Sequence, residues 1–136
     1  MKAKDILINN RYCSNHFNKG EYPILFERIK GELEEFFAET EGGTEAAVDE
    51  ILAEVEANMD SQRFGFLKKS VFADDHIVLS LFVAPAAAKI GTPQATAFAE
   101  TLASKWVERY PESTFKIGDY DAIMDGFKWK LTLFSK

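Results

Sequence analysis

The chain has a single cysteine, Cys13, so no disulfide can close within it, and its cysteine usage gives no sign of an oxidising compartment. Histidine is almost as scarce: His16 and His76 are the only two, and they stand sixty residues apart. The glycines are dispersed, and no G-x-G-x-x-G, P-loop, G-x-S-x-G or H-E-x-x-H pattern occurs, so nucleotide binding through those routes has no support. Long apolar runs are missing as well. The uninterrupted ones reach only a few residues, against the roughly 18 that a membrane span needs, and the reading excludes both a span and a membrane partner. The segment MKAKDILINNRY carries Asp5 and a three-residue apolar run, too little for a secretory signal, and a cytoplasmic location is the expectation.

Apolar area is plentiful. Hydrophobic residues make up 46% of the 136, and twelve of the aromatics are phenylalanine, enough for one genuine core and one domain over residues 1–136. The first 20 residues, rich in Asn and Ser, read as a loosely ordered lead-in around a short helix. Charge is distributed unevenly. From Glu21 to Asp60 there are thirteen acidic residues against two basic ones, Arg28 and Lys30, whereas the rest of the chain is net basic.

Within the acidic half, Tyr22, Phe26, Ile29, Leu33 and Phe36 recur at helical spacing, with Pro23 suited to a first turn. Gly42-Gly43 breaks that pattern, and Val48, Ile51, Leu52, Val55 and Met59 resume it, which predicts an αα-hairpin with its glutamates outside. Beyond Asp60 the composition turns aromatic and β-branched. RFGFLKKSVF reads as a weakly patterned edge strand, Ala73-Asp74-Asp75-His76 as a turn, and Ile77–Ala84 (IVLSLFVA) as a strand covered on both faces. Thr92-Pro93 opens a helix carrying Phe98, Leu102, Trp106 and Tyr110, stopped by Pro111. Two further strands, Phe115–Tyr120 and FKWKLTLF from Phe127 to Phe134, complete the pattern. The expected fold is α+β: an acidic αα-hairpin, then β-β-α-β-β forming a mixed sheet of about four strands, with a right-handed crossover and helices on one face.

Few constellations carry chemistry. GDYDAIMDGFKW, from Gly118 to Trp129, places Asp119, Asp121 and Asp125 near one another, yet a calcium loop started at Asp119 would need an oxygen ligand at Ile123 and a glutamate at Lys130. It reads instead as a hairpin tip with Gly126 at positive φ. Cys13 and His16, with Asp74, Asp75 and His76, could assemble a zinc site only if folding joined them, and Cys13 with His76 lacks the surrounding motif of a catalytic pair. No metal, cofactor or catalytic residue is therefore expected.

Two surfaces remain, and both concern partners. The predicted acidic face carries Glu34, Glu35, Asp49, Glu50, Glu54 and Glu56, whose mutual repulsion a basic protein would relieve, in the manner of an inhibitor or DNA mimic. This small regulatory protein acting on a basic macromolecule is the leading reading. Behind it comes nucleic-acid binding through Lys116, Lys128 and Lys130 with Tyr120 and Phe134. A small-ligand binder or enzyme with a pocket between the 92–110 helix and the sheet, lined by Trp106 and Trp129, comes third.

Overall fold

A computed structural model describes residues 1–41 and 44–126, and among these there is no β-strand. The chain runs α1 (Ala3–Asn10), a 3-10 turn (Arg11–His16), α2 (Tyr22–Glu39), α3 (Thr44–Asp60), α4 (Gly65–Val78), a π turn (Leu79–Val83), α5 (Ala84–Ile90) and α6 (Pro93–Arg109). A last helical segment, α7, covers 120–126. The fold is all-α, which overturns the expected α+β sheet.

Three helices form where the apolar spacing places them. In α2, Tyr22, Phe26, Ile29, Leu33 and Phe36 are buried, and in α3 Val48, Ile51, Leu52 and Val55 are. In α6, Phe98, Leu102 and Trp106 are buried behind an N-cap in which the Thr92 hydroxyl accepts the Ala95 amide at 3.1 Å. The expected hairpin pairing of α2 with α3 does not follow, because α2 packs chiefly against α5 and the π turn, whereas α3 packs against α4 and α6, with α1 touching both.

The predicted strands fail for separable reasons. α4, the π turn and α5 form one continuous helical run, Gly65–Ile90. IVLSLFVA is apolar all round because this run passes through the centre of the molecule, and burial on every side is as natural for a core helix as for a central strand. The Asp74-Asp75-His76 triplet lies inside α4 and is not a turn, since Asp75 points inward and is 1% exposed. Phe115 is buried in an extended segment without a ladder, and Tyr120 opens α7, so neither the crossover nor the first strand of the final hairpin exists. The strand placed at 127–134 lies outside the described residues. By length and composition Gly65–Ile90 could cross a membrane, but 56% of its most apolar window is buried against the other helices.

The π turn is the irregular heart of this run. Ala84 donates its amide to the Leu79 carbonyl, five residues back, and the widened turn turns other carbonyls outward. They find partners elsewhere in the chain: the Tyr22 hydroxyl donates to Leu81 O at 2.5 Å and the Gly118 amide to Ser80 O at 2.9 Å. After α5 the chain reverses at Gly91, whose φ of 76° favours glycine. Small buried residues, Ala84, Ala86 and Ala87 on α5 and Ala95 and Ala99 on α6, let these helices approach closely. Aromatic packing fills the two ends of the core. Trp106 meets Phe72, His76, Tyr110 and Phe115, and Tyr22 meets Phe17, Phe26, Phe82 and Tyr120.

Candidate functional site

Residues 31–62 contain no lysine or arginine, so every cation that meets an acid of α3 must come from another element. Three arrive that way. Lys105 of α6 lies 2.7 Å from Asp49, Arg109 of α6 lies 3.2 Å from Glu56, and Arg11, just after α1, lies 2.9 Å from Glu54. The hydrogen bond from Lys105 to Asp49, with the charges of Asp49, Glu45 and Glu108 adding, raises the lysine's pKa above its ordinary value against the opposing effect of desolvation. An open cleft between α3 and α6 is lined by Asp49, Leu52, Lys105, Glu108 and Arg109, a surface of mixed sign.

The six acids expected to act together are thus divided by the fold. Asp49, Glu54 and Glu56 of α3 face intramolecular cations. Glu50 is half-buried, and its Oε1 has no hydrogen-bond partner among the described residues. Glu34 and Glu35 sit on α2, exposed, with Lys30 3.6 Å from Glu34 one helical turn away. The acids without an ion pair among the described residues include Glu35, Glu41 and Glu45, all exposed and flanking the α2–α3 connection, although the charge of Glu45 still acts on Lys105. Glu39, beside them, is paired among the described residues with the terminal ammonium of Met1 at 3.5 Å. Glu41 and Glu45 were missed by reading helix faces alone; the absence of any nearby lysine or arginine in the sequence is the signal that could have found them.

Beneath this surface lie two polar latches that helical periodicity did not reveal. In the first, the buried Asn10 donates to Ile6 O at 2.7 Å and to Glu32 Oε2 at 2.9 Å, while its Oδ1 accepts from Arg28, tying α1 to α2. Cys13 is buried beside it, and burial, with the Glu32 charge adding, pushes its thiol up to about 11. In the second, Arg11 reaches Asp75 Oδ1 at 3.0 Å and Oδ2 at 3.3 Å, and Asn58 donates to Asp75 at 3.2 Å, so that the 3-10 turn, α3 and α4 meet on one carboxylate. Burial raises the Asp75 pKa above the usual carboxylate range despite the Arg11 and Asn58 bonds that oppose it. Burial also works against the Arg11 charge, but Asp75 and Glu54 outweigh it and hold the guanidinium more firmly protonated.

The would-be metal ligands are scattered among separate tasks. Cys13 is in the first latch and Asp75 in the second. His16 is exposed and bonds Glu21 at 2.6 Å, and His76 bonds the Thr114 carbonyl at 2.8 Å against the ring of Trp106. No cluster of three metal-capable side chains occurs among the described residues.

The GDYDAIMDGFKW stretch is not a hairpin tip: Asp119 caps α7, its Oδ1 accepting the Ala122 amide at 2.9 Å, and Gly126 lacks the positive φ of the expected turn. Tyr120 is packed on Tyr22 and Phe26, not displayed beside Lys116, and Lys128, Lys130 and Phe134 lie outside the described residues. Trp106 is fully buried with its Nε1 donating to Ser113 at 3.2 Å, and among the described residues there is no sheet to complete its pocket with Trp129, itself outside them. No protein family matches the chain, and neither does any curated protein or solved structure.

Proposed function

We propose that this protein is a small binding or regulatory protein whose acidic helical surface docks on a basic macromolecular partner. One observation carries the reading. Ion pairs with Lys105 and Arg109 occupy the α3 face toward α6, and among the described residues Glu35, Glu41 and Glu45 form no ion pair, Glu45 feeling only the longer-range pull of Lys105, with Glu34 and Glu39 alongside at the α2–α3 end. Like charges gathered on one exposed end raise the local potential and steer a cationic partner, and they cost helix stability that such a partner would restore. Of the six acids expected from the sequence, Glu34 and Glu35 belong to this surface; Asp49, Glu54 and Glu56 would engage a partner only by exchanging their present cations.

Affinity capture from a lysate of the source cells at low salt, read by mass spectrometry, tests it. The intact chain is expected to recover lysine- and arginine-rich partners that are lost near 0.5 M salt, where the Debye length falls to roughly 4 Å. The triple variant Glu35→Lys, Glu41→Lys, Glu45→Lys, checked for native helicity by circular dichroism, is expected to lose them. Recovery of the same proteins by the triple variant would remove the proposal.

A further inference from the structure

The corner between α3 and α4 has the opposite character to the acidic end. From Arg63 to Ser70 every residue is exposed except the half-buried Leu67, so the first turns of α4 stand clear of the body. Phe64 and Phe66 are 53% and 69% exposed, with rings stacked at 5.7 Å between centroids and 13° between planes. Arg63, Lys68 and Lys69 are close to them in sequence and exposed, none in an ion pair among the described residues, and no acidic residue occurs between Asp60 and Asp74. Lys69 follows Phe66 by three residues on α4, which puts a cation one turn from that ring, and Phe64 is the extended N-cap residue with Arg63 just before it. Among the described residues nothing covers these two stacked phenylalanines, which do not contribute to the core.

We infer that this corner is a peripheral docking site for an anionic lipid surface, with Phe64 and Phe66 entering the interface and Arg63, Lys68 and Lys69 lying against headgroup phosphates. The inference goes beyond the sequence reading, which expected no membrane partner, and it requires no span. Phenylalanine has no hydrogen-bonding group with which to read a polar partner, and aromatic rings interleaved with lysine and arginine suit the boundary between headgroups and acyl chains. Stacking leaves each ring only its outer face for a base, fewer open faces than two separate rings would offer a single-stranded nucleic acid. The acids of α3 reach to Asp60, three residues before Arg63, so a nucleic-acid strand running along the surface would meet them, whereas a bilayer engages the exposed Arg63–Ser70 corner.

Vesicle flotation with the full chain decides the matter. Vesicles of phosphatidylcholine containing about 30% phosphatidylglycerol are expected to float the protein at low salt, and pure phosphatidylcholine to do so at least about tenfold less, as expected when cations contribute to binding. Phe64→Ala with Phe66→Ala, and separately Lys68→Glu with Lys69→Glu, are each expected to reduce flotation about tenfold while circular dichroism stays unchanged. Equal flotation with both vesicle types, no flotation with either, or an unaffected Phe64→Ala/Phe66→Ala variant would overturn the inference. So would tight single-stranded oligonucleotide binding, or self-association by light scattering, that these substitutions abolish in a protein that ignores vesicles.

Discussion

Asp75 shows how one side chain can hide an element and hold it in place. It occupies a core-facing position of α4, and three elements meet on it through Arg11 and Asn58. A buried carboxylate is disfavoured by desolvation, which is why its pKa is raised, and its bonds offset that cost only while both partners are present. Asp75→Ala would leave the partly buried Arg11 guanidinium with Glu54 alone and Asn58 without its acceptor, a loss of about 2–3 kcal/mol. Asp75→Asn removes the buried charge but keeps an acceptor, so it should cost less. Urea denaturation followed by circular dichroism measures both; an Asp75→Ala variant within about 0.5 kcal/mol of the parent would show that the latch contributes nothing beyond surface substitutions elsewhere.

At the scale of elements, the π turn and the segment after α6 depend on each other, and glycine marks the contact. A Cβ at Gly118 would lie 2.7 Å from Ile123 Cδ1, 3.1 Å from Leu81 Cδ2 and 3.2 Å from Ser80 O. The end of Ile123 can swing aside, but the carbonyl belongs to the π turn and is already bonded to the Gly118 amide. Gly118→Ala should therefore destabilise by about 1–3 kcal/mol. Gly31, in the interior of α2 with nothing within 4 Å of such a Cβ, should behave oppositely, with Gly31→Ala stabilising by about 0.5–1 kcal/mol through helix propensity. Thermal melts of the two variants should shift in opposite directions; a Gly118→Ala melt equal to or above that of the parent would mean that the close approach is not rigid. The same elements show what was legible in the sequence. α2, α3 and α6 bury one stripe each, and such stripes can be read directly. The Gly65–Ile90 run could not be read that way, because its stripe is interrupted by the ion-paired Asp75 and then widens to all faces where Ile77–Ala84 enters the core. Nor could the pairing of helices be read, since the short opening helix α1, expected within a loosely ordered lead-in, is the element that touches both α2 and α3. The candidate acidic surface was half legible: the charge excess was plain, but which acids Arg11, Lys105 and Arg109 would claim depended on a fold that brings α1 and α6 against α3.

Across the whole molecule, three weakly acidic groups are held neutral in separate parts of the core, and together they set an alkaline limit. Burial, with the Glu32 charge adding, pushes the Cys13 thiol up to about 11. Burial, with the Glu56 charge adding, pushes the Tyr110 phenol up to about 12. It raises Tyr22 still further, with Tyr120 and Asp119 adding, and that hydroxyl donates to the π turn. In the unfolded chain the same groups ionise near their ordinary values, about 8.5 for a thiol and 10 for a phenol. For an acid whose folded pKa is the higher, the native state retains the proton that the unfolded state has released. The stabilising preference is therefore complete below the unfolded pKa and is lost as pH rises toward the folded one. Each group contributes a slope of about 1.4 kcal/mol per pH unit within its own window, and the windows overlap between about pH 10 and 11. Stability should hold level to about pH 8.5, fall gently as the thiol of the unfolded chain ionises, then drop steeply above pH 10. Cys13→Ala should flatten the fall between pH 9 and 11 without removing the phenol component. Urea midpoints across pH 8 to 11.5 read the effect directly: an unchanged midpoint to pH 11, or a Cys13→Ala profile parallel to the parent throughout, would contradict the account. Tyr22→Phe adds a second axis, because it removes one titrating group and also leaves the Leu81 carbonyl without that donor. Its profile should start lower at pH 8 and decline less steeply above pH 10, a crossing of slopes that a simple loss of packing would not produce.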